Sequence, residues 1–201
     1  MPTGVALRDV REQLFAAAER VLHRDGPNAL TSRAVTTEAG CAKGVLHRHF
    51  ADFDAFLAEL VLDRIGRLDE RALRERAGTS TVTDNLTAAL TDVFGPVAVA
   101  IVGLVTFRDG LRARLRQAGL PGIPLLGEAT AMIAGYLAAE RDLGRIAADA
   151  DPDTLALTLI GSAHLLFAGR DGPPPAEEVR KIAAAVVRDT NPPDEEMMAG
   201  W

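Results

Sequence analysis

Apolar residues in this chain recur every third or fourth position and almost nowhere every second one. Val10, Leu14, Ala17/Ala18 and Val21 fall at i, i+4, i+7/8 and i+11, one stripe on a helix that ends near Arg24. Phe53, Phe56, Leu57, Leu60, Val61, Ile65 and Leu68 repeat the pattern on a long helix predicted over about 52–76. Strands need period-two alternation and are rich in aromatics, whereas aromatic residues are only 4% of the 201 positions. The pattern predicts an all-α chain of about nine helices.

The breaks are equally legible. Asp25-Gly26-Pro27 stops the first helix, with Gly at the C′ position and Pro unable to continue. Thr31-Ser32 offers an N-cap for a short helix over 32–39, and Gly40 ends it. A second short segment from Ala42 carries Val45, Leu46 and Phe50 inward, and Asp52 caps the long helix that follows. Five further helices are predicted over about 83–105, 108–117, 124–141, 153–169 and 175–189. Asn191-Pro192-Pro193 opens an acidic tail expected to fray.

Two short helices joined by a tight glycine turn have the spacing of a helix-turn-helix, whose second helix enters the DNA major groove. The charge distribution agrees. Net charge is −6, yet residues 1–50 hold seven Lys/Arg against five acids, leaving 15 bases against 23 acids in the remainder. A basic segment on an acidic chain suits one small part that meets a polyanion. An ordinary pair of bundle helices has the same spacing.

The run Arg11 to Leu22, then Gly26, Leu30-Thr31-Ser32-Arg33-Ala34-Val35 and Ala39 to Phe50 resembles the N-terminal domain of tetracycline-repressor-type (TetR family) regulators. The resemblance is specific over about residues 8–62. It implies a helix-turn-helix DNA-binding domain over 1–51 and a helical effector-binding and dimerisation domain over 52–201. Thr31, Ser32 and Arg33 take the positions that reach phosphates, and the recognition helix corresponds to Ala42–His49. Within it Lys43, Gly44 and Val45 lie nearest base edges, His47 and His49 lie toward the backbone, and Arg48 is a further candidate DNA contact. Lys43 is one of only two lysines; guanine readout, phosphate contact and plain solvation all suit it.

Three departures stand out. Ala42 and Val45 replace frequent hydroxyl residues, and Val45 suits a thymine methyl instead. Phe53 replaces a phosphate-contacting lysine, and its neighbours Asp52 and Asp54 are expected to repel the DNA backbone. Those acids favour the alternative reading, a ligand- or partner-binding bundle that has lost DNA binding.

For the C-terminal helices the resemblance implies a small-molecule effector and a homodimer. Helix 153–169 is apolar nearly all round, and with 175–189 it is the expected dimer face. Effector contacts are expected from Phe94, Val97, Ile101, Leu104, Phe107, Met132, Tyr136, His164 and Phe167, a set suited to a largely hydrophobic ligand. Core packing accounts for each of them singly.

Other classes are disfavoured. No nucleophile elbow, zinc-protease motif, P-loop or strand-linked dinucleotide fingerprint occurs, so no enzyme and no cofactor are expected. His47 and His49 lie on different sides of a helix, which argues against a metal with Cys41. The single cysteine excludes a disulfide framework and fits a reducing cytosol; as a turn residue or a redox sensor it has two readings. Met1-Pro2-Thr3-Gly4 runs into Arg8-Asp9 without a secretion signal, and the uncharged runs 93–107 and 154–169 are short for a bilayer. A cytoplasmic protein is expected, with no membrane partner.

Overall fold

The computed structural model describes residues 4–170 and 172–188, so the acidic tail lies outside the described residues. These residues form eleven α-helices and one 3-10 turn, with no strand among them. In order they are α1 (Gly4–Asp25), the 3-10 turn Pro27–Ala29, α2 (Ser32–Glu38), α3 (Val45–His49), α4 (Phe53–Gly66) and α5 (Glu70–Glu75). There follow α6 (Val82–Val93), α7 (Pro96–Phe107), α8 (Asp109–Gln117), α9 (Pro124–Asp142), α10 (Pro152–Ala168) and α11 (Ala176–Arg188). No single described helix is long and apolar enough to cross a membrane.

Two expected helices divide, which raises the count from nine to eleven. The 52–76 helix stops at Gly66, because Asp69 caps a new one by accepting the Ala72 N–H at 2.8 Å. The 83–105 helix stops at Val93. Phe94-Gly95 leaves the helical path and Pro96, which lacks an N–H, opens α7. The recognition helix is also shorter than expected. It begins at Val45, not Ala42, and residues 42–44 form a turn closed by the Val45 N–H to the Ala42 carbonyl at 2.9 Å. Gly44 at the N-cap has no side chain to hold an earlier helical turn.

The chain packs as two compact units. The first comprises residues up to Arg67 together with Pro96–Gly127; the second comprises Leu68–Gly95 and residues from Glu128 on. The core of the first is built on the α1 stripe, where Leu14, Ala17, Ala18 and Val21 are buried. Leu46 of α3 is fully buried there, and the Phe50 ring meets Phe56 of α4 edge-on at 5.0 Å and Phe15 of α1 at 5.9 Å. Recognition helix, first helix and α4 thus share one aromatic cluster.

In the second unit the largest buried side chains include Tyr136, Phe94, Leu86 and Leu90. Tyr136 Oη donates to Glu140 Oε1 at 2.6 Å and accepts from Asn85 Nδ2 at 3.1 Å. Arg145 pairs with the fully buried Glu140 carboxylate at 3.1 Å, and the Gly78 N–H points at it from 3.4 Å. A buried charge persists only when partnered in this way.

Candidate nucleic-acid interface

The turn between α2 and α3 is set by glycine chemistry. Gly40 has φ +66°, a left-handed conformation that a Cβ disfavours, although a Cβ there would meet nothing within 4 Å. The Gly40 N–H bonds the Thr37 carbonyl at 3.1 Å and the Cys41 N–H bonds the Thr36 carbonyl at 2.9 Å. These paired bonds close the end of α2 as a Schellman motif. At the other end Thr31 Oγ1 accepts the Ala34 N–H at 3.1 Å, leaving its own proton free to donate to a phosphate oxygen. Gln13 of α1 anchors the turn by donating to the Ala39 carbonyl at 2.9 Å.

The two short helices bound a concavity of about 450 Å³ lined by Ser32, Arg33, Thr36, Lys43, Gly44 and His47. Five of the expected DNA-contacting residues therefore meet in one place. Thr31, Ala42 and Arg48 are exposed beside them in the same motif, and Val45 and His49 are half-buried. Thr36 is the addition. It is 2% exposed, and its hydroxyl donates back to the Ser32 and Arg33 carbonyls at 3.0 and 3.2 Å, so it shapes the groove.

Residues 14–60 match the sequence model of the bacterial regulatory proteins of the tetR family. They are a tetR-family DNA-binding domain. The chain is accordingly a DNA-binding transcriptional regulator. Solved structures share the whole fold at low identity. A candidate TetR-family transcriptional regulator from Mesorhizobium loti matches with TM-score 0.70 and 15% identity, over 94% of this chain and 96% of its own. The regulator FadR from Bacillus subtilis, solved with stearoyl-CoA, matches at 0.64 and 15%, over 88% and 97%. A candidate regulator from Saccharomonospora viridis, solved with choline, matches at 0.65 and 16%, over 90% and 96%. No curated protein matches the chain by sequence.

The arginines and lysine in and just before the tetR-family domain whose side chains are described sort into two groups. Arg20 and Arg24 both pair with Glu38, at 2.7 and 2.9 Å, and Arg24 also holds Asp25. Hydrogen bonds from Arg20 and Arg24 keep the Glu38 carboxyl below the usual carboxylate range. Arg11 pairs with Glu59 and lies 4.6 Å over the Phe50 ring. Arg33, Lys43 and Arg48, by contrast, are exposed and make no ion pair among the described residues. Positive charge without an internal partner is what a phosphate backbone recruits.

The expectation that Asp52 and Asp54 present bare charge to DNA is corrected. Asp52 caps α4, accepting the Ala55 N–H at 2.8 Å, and it also pairs with Arg114 of α8. Asp54 receives Arg108 Nε at 3.1 Å and Nη2 at 2.8 Å. Sequence inspection missed both arginines, which lie 54 and 62 positions from their partners. The only sequence signal is a second arginine cluster at Arg108, Arg112, Arg114 and Arg116.

The expected effector residues divide between the units. In the second unit the Phe94 ring stacks on Phe167 at 5.5 Å and lies 6.0 Å from the His164 ring, with Met132 and Tyr136 buried. His164 Nδ1 is buried with no hydrogen-bond partner among the described residues. In the first unit Ile101 and Leu104 of α7 are buried, Val97 is half-buried and Phe107 is 86% exposed.

Proposed function

We propose that this regulator is a homodimeric repressor that binds a pseudo-palindromic operator and leaves it when a small, largely hydrophobic effector binds. Residues 1–51 make the DNA contacts, and residues 52–201 supply the effector and dimer functions. The observation that carries the reading is the sorting of charge: among the described side chains, Arg33, Lys43 and Arg48 of the helix-turn-helix make no ion pair, whereas Arg11, Arg20 and Arg24 of α1 are paired. Thr31, Ser32, Arg33, His47, Arg48 and His49 hold phosphates. Lys43, Gly44 and Val45, with Ala42 beside them, face base edges.

The dimer forms through α10 and α11. Leu157 and Leu165 are 65% and 75% exposed and stand eight residues apart on α10, with exposed Gly161 midway. At 3.6 residues per turn these three positions fall on one stripe, and a second copy of the same face covers it. Two recognition helices then enter successive major grooves about 34 Å apart.

The effector site we assign centres on Phe94, His164 and Phe167, with Met132 and Tyr136. The unpartnered His164 nitrogen supplies a polar contact among rings that suit an apolar body. That FadR was solved with stearoyl-CoA and the Saccharomonospora viridis regulator with choline supports a small-molecule effector for this chain. Release requires an effector that binds more tightly to the conformer with the wrong recognition-helix spacing.

The experiment is selection from a random duplex library by the purified protein at two salt concentrations. Enrichment of an inverted repeat, with affinity falling steeply in salt, is expected. No enrichment at either concentration overturns the reading.

A further inference from the structure

We infer that Arg108 and Arg114 set the DNA affinity of the recognition helix without touching DNA, by covering the Asp52 and Asp54 carboxylates at its C-terminal edge. The inference rests on the DNA-binding reading above and gives a role to Arg108 and Arg114, which neither the family match nor the groove includes.

Asp52 stands three residues beyond His49, the last residue of α3. Three residues span at most roughly 11 Å. The backbones of His49 and Asp52 therefore lie within about one Debye length of each other, so the acids belong to the electrostatic surroundings of a phosphate held at the end of α3. Asp52 has a local reason to be acidic, since it caps α4 and a carboxylate suits a helix N-terminus. Uncovered, Asp52 and Asp54 would set two negative charges against the three unpaired cations Arg33, Lys43 and Arg48.

The cover is built with some care. Arg108 grips Asp54 through two nitrogens, at 3.1 and 2.8 Å, while its guanidinium lies 5.4 Å from the centre of the Phe53 ring. Arg114, six residues along, reaches Asp52. Between them Gly110 leaves room for the Asp54 carboxylate against α8. A Cβ there would lie 2.2 Å from Asp54 Oδ2 and 3.2 Å from its Cγ. This glycine is a matter of space, because its backbone is in the ordinary negative-φ region.

A mere staple between α4 and α8 is the competing account. The four side chains are 30–49% exposed, and pairs so hydrated add little to stability. Neutralising charge beside a polyanion needs no such burial. The two accounts differ in sign, which makes them separable.

The test measures binding of a labelled mixed-sequence duplex long enough for two half-sites, by anisotropy, for three variants of the full chain. Arg108→Gln/Arg114→Gln exposes the acids and is expected to weaken binding roughly tenfold at about 50 mM salt, with the loss shrinking as salt rises. Asp52→Asn/Asp54→Asn keeps an N-cap but removes the charge, so binding is expected to tighten. Combining all four substitutions is expected to restore affinity to within about twofold of wild type. If Asp52→Asn/Asp54→Asn weakens binding as the arginine variant does, or the fourfold variant is no better than the arginine variant, the pairs are staples and the inference fails. Thermal melting by circular dichroism identifies an arginine variant that has lost its fold; the sign of the aspartate variant then decides alone. A wild-type chain that binds no duplex overturns the DNA-binding reading itself, and this inference with it.

Discussion

The sorting of basic residues into paired and unpaired groups predicts the salt dependence of DNA binding. Each protomer offers Arg33, Lys43 and Arg48 without an internal partner, so a dimer brings six such cations. Each phosphate neutralised contributes a slope of about −0.9 in log K against log salt, giving a total of about −3.6 when Lys43 only reads bases and about −5 when it also neutralises a phosphate. A fourfold rise in salt then costs about a hundredfold to a thousandfold in affinity. Anisotropy titrations of the selected operator at several sodium chloride concentrations measure the slope. Arg33→Gln removes one contact per protomer and should shallow it by about 2. Lys43→Gln should do the same if the ammonium holds a phosphate; if it reads a guanine, the loss concentrates at one base pair, at about 1–3 kcal/mol. Arg20→Gln is the decisive control. Its guanidinium is already engaged by Glu38, so the slope should hardly move. An Arg20→Gln variant that flattens the slope as much as Arg33→Gln would refute the reasoning, because internal pairing would then not determine which cations the DNA meets.

Three further outcomes are expected. Tyr136→Phe deletes the 2.6 Å hydrogen bond to the buried Glu140 carboxylate while Asn85 keeps its carbonyl partners at Thr79 and Arg76, so urea unfolding should show a loss of about 1.5–3 kcal/mol; a loss under about 0.5 kcal/mol contradicts the network. Burial, and then the bond to Glu140, raise the Tyr136 phenol well above its ordinary value of about 10, so the folded state keeps a proton that the unfolded chain releases. Its contribution is complete below pH ~10 and is lost as pH rises beyond it, a decline absent from Tyr136→Phe and visible as delayed tyrosinate absorbance of the sole tyrosine. Gly40→Ala forces a Cβ into φ +66° and should destabilise by about 1–2 kcal/mol in thermal melts, with DNA affinity falling as the turn opens; unchanged melting would mean the turn tolerates an L residue. Leu157→Glu with Leu165→Glu puts charge on the exposed α10 stripe and should give monomers by sedimentation; dimers that survive it would move the interface elsewhere.

Much of the helical layout was legible because its determinants are local. The α1 stripe, the Thr31 cap and the Gly40 turn each depend on a few neighbouring residues, and each lies where the pattern placed it. The two helices read as continuous failed for a local reason of their own. In 52–76 the apolar rhythm runs through Leu68 to Leu73, so it hid the cap at Asp69. In 83–105 it hid the Gly95-Pro96 break behind Phe94, which the second unit buries completely. Periodicity reports which face is buried, and a helix can restart without changing that report.

The charges were less legible, because a charge acts only after its partners are subtracted, and the partners are set by the fold. Counting residues 1–50 gives a net +2, a sum that includes Arg20 and Arg24 with Asp25 and Glu38, four charges that cancel among themselves. What faces solvent from α2, α3 and the turn between them is Arg33, Lys43 and Arg48, a stronger positive signal than the total suggested. Asp52 and Asp54, beside the same site, argued against DNA binding only while Arg108 and Arg114 were unseen. These arginines come from a segment that follows α6 in sequence yet packs in the first unit, so no linker or composition change announces them. Segment charge is thus informative about a polyanion site in proportion to how little of it is paired internally. Here pairing occupies Arg11, Arg20 and Arg24 on α1 and covers Asp52 and Asp54 at the start of α4, leaving the recognition face as the exposed difference.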